Sequence, residues 1–501
     1  MLHWGNPFKK HAMNEKKLFT RFVLLIVVMT IFATGCQHDT VVQERPLIKT
    51  ADFIQKEPVR FDLDAIKERG KLIALTLNSS TSYFVYRGQA MGYEYELLKR
   101  FTASIGVDLE IKVIPDVNAM FELLNNGHGD IIACNLAITK RRLEHASFSD
   151  PYNFTRQVLV QRMPDGWEKM DNKSLAKELV VSPIDLIGKK VYVNKSSSFF
   201  SRLENLQNEI GGDIDIVSVP GYIDTEKLIK KVASGELEYT VADDNIAKLN
   251  ATYYPNIDVS VQLSFPQQIA WATRKNSPNL LSAINTYFEN DRGKSVYAYI
   301  YNKYFRASKD TWAKFNSEYS SLKGNRICDY DEILKEYSKL IDWDWRLLAA
   351  QMYQESKFQE DARSWAGAFG LMQFMPATAA MYGIDTTSTP EEHIRAAILY
   401  ISWLNDFWKE RIFDSDERMK FILASYNVGL GHVIDAMNIA LNLGYDPQVW
   451  TDNVAECILL KSSSEYYTSD MVKYGYCRGE EPYGYVQKII EQFEHYKQVI
   501  S

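Results

Sequence analysis

The stretch QMYQESKF, residues 351–358, places one glutamate in a segment that otherwise has the pattern of a buried helix. Glu355 falls at helical spacing from three apolar residues, Trp345, Leu348 and Met352, so its side chain points to the core side. Burial and the negative end of the helix dipole both raise the pKa of a carboxyl. A carboxyl that stays protonated near neutral pH can act as a general acid. A frayed helix end, with Glu355 in solvent, is the alternative that spacing leaves open.

Three further motifs follow this glutamate in the chain. They read GAFGLMQFMPATAA, ASYNVG and EPYGYV. In the first, Gly367 and Gly370 give backbone freedom where a loop turns close to a ligand, and Pro376 suits the first turn of the next helix. Gln373 then projects from a constrained loop, although a glutamine in such a loop can equally be a solvated turn residue.

Together with ESKF, these motifs resemble the family 23 lytic transglycosylases and goose-type lysozymes, which have a lysozyme-like helical fold and act on peptidoglycan. The resemblance implies that Glu355 is the single catalytic acid and base. It also implies substrate contacts in the groove around this glutamate, by Ser356, Gln373, Tyr426, Asn427 and Tyr485.

The number of carboxylates decides the expected mechanism. Retaining and inverting glycosidases both need a second carboxyl, roughly 5 to 9.5 Å from the first. Glu360 and Asp361 are near in sequence but follow the helix end and have a solvated pattern. We therefore expect Glu355 to protonate the oxygen between N-acetylmuramic acid and N-acetylglucosamine, and then to take a proton from the muramyl C6 hydroxyl. The product is a 1,6-anhydromuramyl end.

The sequence leaves two alternatives to a lytic transglycosylase. A lysozyme-type muramidase would use water, with Glu360, Asp361 or another acid as the base. A non-catalytic solute-binding or sensory protein would have lost catalysis in its C-terminal part, against which the placement of Glu355 argues.

The elements that position these motifs change character along the chain. Residues 59–306 alternate strand and helix patterns, which predicts an α/β domain of two lobes with a cleft between them. Residues 326–501 carry helical spacing almost throughout, which predicts an all-α domain, and the resemblance described above implies that its fold is lysozyme-like. The polar stretch 307–325 is the predicted linker.

The α/β segment resembles the family 3 periplasmic solute-binding proteins through GYEYELLKRF, NLAITKRRLEHASFSDPY, GKKVYVNKSSS and YTVADD. The resemblance implies a regulatory domain for a small ligand, an amino acid or a muropeptide. Its ligand residues would be Arg142 for a carboxylate, Asp243 for an ammonium group, Tyr93 for stacking, and Ser197 or Ser198 for a hydroxyl contact. Cys134 and Asn135 stand where small hydroxyl residues are usual, so the ligand need not be a standard amino acid.

The N-terminus has the pattern of an export signal over residues 1–36. Lys16, Lys17 and Arg21 precede a short apolar run, and ATGC ends at Cys36, which resembles a lipoprotein cleavage box. An uncleaved anchor is the alternative. Lipidated Cys36 followed by Gln37 predicts a periplasmic protein on the inner face of the outer membrane of a Gram-negative bacterium, held by its lipid or peripherally. Residues 37–58 form the predicted tether.

Composition narrows the partners further. A net charge of -7 over 501 residues favours neither nucleic acid nor anionic lipid. No metal site and no cofactor are predicted, since neither a C-x-x-C nor an H-E-x-x-H pattern occurs. Cys457 and Cys477 are the better disulfide pair, and two free buried thiols are the equal alternative.

Overall fold

The computed structural model describes residues 57–220, 223–291, 295–306 and 309–500. The predicted export signal with Cys36, and the tether up to residue 56, lie outside the described residues. Within the described ranges, no helix is both long enough and apolar enough to cross a bilayer.

The first lobe is built on a five-stranded sheet, in which the neighbouring strands are, in order, β4 (Asp108–Val113), β1 (Lys71–Thr76), β5 (Ile131–Ile132), β14 (Ala272–Thr273) and β6 (Ser147–Phe148). Strand β1 pairs in parallel with β4 and β5, and β14 runs antiparallel to β5 and β6. The elements of this lobe are α1 (Leu63–Arg69), β1 (Lys71–Thr76), β2 (Phe84–Tyr86), β3 (Gln89–Met91), α2 (Tyr93–Ile105), β4 (Asp108–Val113), α3 (Val117–Asn125), β5 (Ile131–Ile132), α4 (Lys140–Leu143) and β6 (Ser147–Phe148).

The second lobe has its own five-stranded sheet, in the order β10-β9-β11-β8-β12. Its elements are β7 (Asn153–Thr155), β8 (Gln157–Arg162), α5 (Asn172–Glu178), β9 (Lys190–Asn194), α6 (Ser198–Ile210), β10 (Asp215–Val219), α7 (Thr225–Ser234), β11 (Tyr239–Asp243), α8 (Asp244–Ala251) and β12 (Ile257–Asp258). The chain then returns to the first lobe through β13 (Gln267–Ile269), β14 (Ala272–Thr273), α9 (Pro278–Asp291) and α10 (Ser295–Phe305). The predicted two-lobed α/β domain is confirmed.

The remainder is helical, as predicted. Its helices are α11 (Lys309–Asn316), α12 (Asp331–Tyr337), α13 (Trp345–Ser356), α14 (Pro376–Met381), α15 (Pro390–Lys409), α16 (Ser415–Val428), α17 (Leu430–Leu443), α18 (Ala455–Leu460), α19 (Ser464–Tyr467) and α20 (Glu480–Val499). Thr389 and Glu392 form a capping box at the start of α15, where Pro390 occupies the first turn.

The segment predicted as a linker is structured where it is described. Part of it forms α11, and the following residues lie along β2. The Ser321 amide donates to the Val85 carbonyl at 2.8 Å, and the Val85 amide donates to the Ser321 hydroxyl at 2.9 Å. The two parts of the chain are therefore joined by a bonded segment.

Helix α20 packs against the first lobe as well as against its own domain. His495 Nδ1 lies 2.8 Å from the Tyr83 hydroxyl, and the Gln492 side-chain amide donates to the Gly88 carbonyl at 2.8 Å. Gly88, in the β2–β3 turn, has a φ of 76°, and a Cβ there would lie 2.6 Å from the Tyr496 hydroxyl. Only glycine allows this close approach without a shift.

A buried ion pair fixes the chain that leads into α20. Lys461 Nζ lies 2.7 Å from Asp435 Oδ2, and both side chains are fully buried. The same carboxylate accepts the backbone amides of Lys473 and Tyr474, each at 2.9 Å. The pair therefore holds the segment before α20 against α17.

Cys457 and Cys477 are buried free thiols in the structure. The disulfide that the sequence left open is not formed there, and the alternative of two free thiols is the one observed.

Replacing Lys461 by methionine should destabilise the protein by about 3 kcal/mol, because it leaves the Asp435 carboxylate buried without its cation. The matched control is Lys497→Met, since Lys497 pairs with Glu494 in a half-exposed position and its loss should cost less than about 1 kcal/mol. Urea unfolding of both variants measures the difference. Equal midpoints would contradict the role of the buried pair.

Candidate active site

The side chain of Glu355 projects from the last turn of α13. The helix begins after Asp344, whose carboxylate caps the Arg346 amide, and it ends where Lys357 adopts a φ of 55°. The Glu355 side chain is partly buried, and Oε1 accepts a hydrogen bond from the Tyr485 hydroxyl of α20.

The environment of Glu355 favours the neutral acid. Burial raises its pKa to about 8, helped by the negative charge of Glu481, while the Tyr485 hydrogen bond acts in the opposite direction. The carboxyl is therefore mostly protonated at neutral pH, which is the state a general acid needs.

Gln351 orients the tyrosine. It lies four residues before Glu355 on the same face of α13, is fully buried, and donates its side-chain N–H to the Tyr485 hydroxyl oxygen at 3.3 Å. Because that oxygen accepts from Gln351, its own hydrogen is directed to Glu355 Oε1. With Oε1 bonded to the Tyr485 hydroxyl, Oε2 is the oxygen available to carry the acidic proton. Gln351 was not predicted from the sequence, although its position four residues before Glu355 places both side chains on one face of the helix.

The loop that contains Gly367 and Gly370 is held together by hydrogen bonds from the Gln373 side chain. This residue has a φ of 48°, and its side-chain nitrogen donates to the carbonyls of Ala362 at 3.0 Å and Gly370 at 2.8 Å. Gly370 has a φ of 77°, and a Cβ there would lie 2.2 Å from His393 Cε1. The amide nitrogen of Gln373 is thus engaged within the loop, and its oxygen is the atom left for a substrate.

Tyr426 lies between this loop and the Glu355 carboxyl. Its hydroxyl donates to the Met372 carbonyl at 3.0 Å, and burial together with the nearby charge of Glu355 raises its pKa. Asn427 follows it at the end of α16 and is half-buried. The structure therefore brings Glu355, Tyr485, Tyr426 and the Gln373 loop together.

The structure corrects the expectation for Ser356. Its side chain is 4 % exposed, and the hydroxyl donates to the Met352 carbonyl of its own helix at 3.2 Å. A hydroxyl turned back onto the preceding turn presents no group to the groove.

The acids considered as a second carboxylate are on the surface. Glu360 and Asp361 are exposed, and Glu360 accepts a hydrogen bond from the Tyr330 hydroxyl at 2.6 Å. Glu481 is also exposed and acts on Glu355 through its charge.

Two residues predicted to bind a ligand in the N-terminal cleft, Asp243 and Arg142, lie near each other. Asp243 ends β11, and Asn135 of the first lobe donates its side-chain N–H to Asp243 Oδ2 at 2.8 Å. Burial raises the pKa of Asp243 to about 7. Arg142 donates to the Ala137 carbonyl at 2.8 Å, and its charge and that of Asp243 influence each other's pKa.

The structure also corrects the roles expected for Tyr93 and Ser197. Tyr93 is 1 % exposed, donates to the Tyr297 hydroxyl at 2.9 Å and packs its ring 5.0 Å from that of Phe305, so no face is open to a ligand. The Ser197 hydroxyl donates to the Asn194 carbonyl at 2.6 Å and is already used.

Two family models match the chain. Residues 73–307 match the bacterial extracellular solute-binding proteins, family 3, and residues 332–448 match the transglycosylase SLT domain.

Curated relatives match most of the chain. Membrane-bound lytic murein transglycosylase F of Desulfosudis oleivorans is 35 % identical over 434 residues, which cover 86 % of this chain and 91 % of that protein. The protein of the same name from Pseudomonas putida is 30 % identical, covering 86 % of each chain. The one from Aliivibrio fischeri is 29 % identical, covering 95 % and 89 %.

Solved structures match about half of the chain. A mutant of the arginine-binding protein ArgBP from T. maritima is 23 % identical, with a TM-score of 0.40, and covers 49 % of this chain and 99 % of its own. The substrate-binding protein AbpA from Streptococcus pneumoniae, bound to L-arginine, is 22 % identical, with a TM-score of 0.41, and covers 48 % and 98 %.

Tyr485→Phe should move the basic limb of the pH profile of kcat/KM for peptidoglycan upward, by about one pH unit from its position near the Glu355 pKa of about 8. The hydrogen bond from Tyr485 stabilises the charged carboxylate, so its loss raises the pKa of Glu355. Tyr483→Phe, two positions earlier on α20, is the matched control and should leave the limb in place. A limb that stays or moves down in Tyr485→Phe would contradict the assignment.

Proposed function

The chain belongs to the family of the membrane-bound lytic murein transglycosylases F, and we propose that Glu355 is the single catalytic acid and base of its reaction. The protein is a lyase of the cell envelope that cleaves peptidoglycan, with a solute-binding domain ahead of the catalytic domain. The observation that carries the assignment of Glu355 is its shielded carboxyl, which has a raised pKa and accepts a hydrogen bond from Tyr485.

The reaction begins with proton transfer from Glu355 Oε2 to the oxygen that links N-acetylmuramic acid to N-acetylglucosamine. The bond from this oxygen to the muramyl C1 breaks, and the substrate's own N-acetyl group supports the oxocarbenium charge at C1. While Glu355 is ionised, the Tyr485 hydroxyl stabilises its carboxylate by a hydrogen bond.

The second step returns the proton. The Glu355 carboxylate accepts the hydrogen of the muramyl C6 hydroxyl, and O6 bonds to C1 to close the 1,6-anhydro ring. Glu355 is protonated again, and no water is consumed. The surface position of Glu360 and Asp361 supports this route over hydrolysis, since neither is enclosed with Glu355.

The proposed substrate contacts follow from the side chains that remain available. Gln373 contributes its amide oxygen, Tyr426 its ring, and Asn427 its side chain at the end of α16. Ser356 acts as a helix residue beneath the groove rather than as a contact.

We further propose that the N-terminal cleft takes a small ligand with a carboxylate, an amino acid or a muropeptide, held by Arg142 and Asp243. The ligand would regulate the enzyme through α20, because this helix contacts the first lobe at Gly88 and also carries Tyr485. A ligand that favours one arrangement of the lobes then changes the position of the hydroxyl that Glu355 depends on.

Within the envelope, we propose a periplasmic position on the inner face of the outer membrane, through a lipid on Cys36 or by peripheral association. The proposed domain limits are 1–36, 37–58, 59–306, 307–325 and 326–501, for signal, tether, regulatory domain, linker and catalytic domain.

Glu355→Gln should lower peptidoglycan turnover by about a thousandfold or more, because the amide neither donates an acidic proton nor accepts one. Mass spectrometry of the digest of the unaltered protein should show muramyl ends lighter by one water than hydrolysed ends. Glu360→Gln and Glu481→Gln are the matched controls and should still form anhydro ends. Hydrated ends, or full activity of Glu355→Gln, would overturn the mechanism.

Arg142→Ala should abolish ligand binding by the N-terminal domain, since it removes the guanidinium proposed to hold the carboxylate. Calorimetry on the full chain in the Glu355→Gln background, with a panel of amino acids and muropeptides, provides the measurement. Arg141→Ala changes the exposed neighbour and should bind normally. Unchanged affinity in Arg142→Ala, or no binding by the unaltered cleft across the panel, counts against the proposal.

A further inference from the structure

A line of aromatic rings leads from the catalytic carboxyl to the surface of the helical domain. The Tyr400 ring centroid lies 5.2 Å from that of Tyr426, and the Trp403 ring lies 5.9 Å from Tyr400 with 17° between the ring planes. Burial and, after it, the charge of Glu355 raise the pKa of Tyr426, and the Tyr426 hydroxyl donates to the Met372 carbonyl beside Gln373, so the line begins next to Glu355 and the Gln373 loop.

The outer end of this line is exposed but held in place. Trp403 is 51 % exposed, whereas Ile401 and Leu404 on the same helix are fully buried. The nearly parallel contact with Tyr400 restricts the indole. Since an aromatic side chain has only two rotatable bonds, a restricted ring can bind a flat apolar surface at little further entropic cost.

The rings also rest on the loop that frames the active site. Phe374, which follows Gln373, lies 6.2 Å from Tyr382 and 6.5 Å from Tyr400. Tyr382 is half-buried, and its ring centroid lies 5.8 Å from that of Tyr400. The surface is therefore continuous with the groove rather than a separate patch.

We propose that Tyr382, Tyr400 and Trp403 form a stacking platform that binds the glycan strand beyond the bond that is cleaved. The proposal rests on the lytic transglycosylase reaction described above. Pyranose rings present C–H faces that pack on aromatic rings, and neighbouring platform rings lie only 5.8 and 5.9 Å apart, so they form one continuous aromatic surface. Continuity with the groove identifies the occupant as the glycan strand, because this polymer has to leave the site on either side of Glu355.

A platform of this kind contributes to binding and not to bond cleavage. Loss of its outer ring should therefore weaken the binding of long strands and raise KM, while kcat changes by less than about twofold. The loss of one aromatic contact corresponds to about tenfold in affinity.

The test is Trp403→Ala in the full chain. In the Glu355→Gln background, calorimetry with peptide-free glycan strands should give about tenfold weaker binding, and Trp403→Phe should recover most of it. The matched control is Phe413→Ala, which removes another exposed ring, 76 % exposed, from the same domain. It should bind as tightly as the parent.

Three results would overturn the platform: equal binding by Trp403→Ala and its parent, an equal loss in Phe413→Ala, or a fall in kcat at unchanged KM. Failure of the underlying reaction is a separate result, since it would appear as an absence of anhydro ends in the digest made by the unaltered protein. A correct reaction with unaltered strand binding in Trp403→Ala rejects the platform alone.

Discussion

The candidate active site depends on one partly buried carboxyl, Glu355, whose hydrogen-bond partner among the described residues is the neutral Tyr485 hydroxyl. A cation beside Glu355 would lower its pKa and leave it charged, and full exposure would return it to the ordinary range of a glutamate. The Tyr485 hydroxyl gives the carboxyl a partner in either protonation state, and burial keeps its pKa at about 8. Helices α13 and α20 have to meet at this point, because each supplies one half of the hydrogen bond.

The position of α20 is therefore a constraint on the whole described fold. Its first turns carry Tyr485, and its last turns are bonded to the first lobe through Gln492 and His495. The chain segment that leads into this helix is held in place by the buried Lys461–Asp435 ion pair. A rigid helix transmits a displacement at one end to the other, so α20 is one physical connection between the first lobe and Glu355.

The sequence predicted the elements better than the contacts between them. Alternating and helical patterns are local, and they located both lobes, the helical domain and the helix that carries Glu355. The partners of individual side chains depend on residues far apart in the chain. Gln351 was missed because its role requires Tyr485, 134 positions away. Tyr93 was assigned to a ligand through the family resemblance, and its burial against Phe305 cannot be read from its sequence neighbours.

Both proposed sites hold a buried carboxyl beside a neutral hydrogen-bond donor. Asp243 in the cleft and Glu355 in the groove are carboxyls whose pKa values burial raises to about 7 and about 8, and each accepts one bond from a neutral donor, Asn135 or Tyr485. A neutral donor satisfies the oxygen without fixing its charge. Asp243 can then ionise when a ligand cation arrives, whereas Glu355 becomes charged only when its proton moves to the substrate. The surroundings of the two carboxyls also differ, because the charge of Arg142 acts to lower the pKa of Asp243, whereas the charge of Glu481 acts to raise that of Glu355.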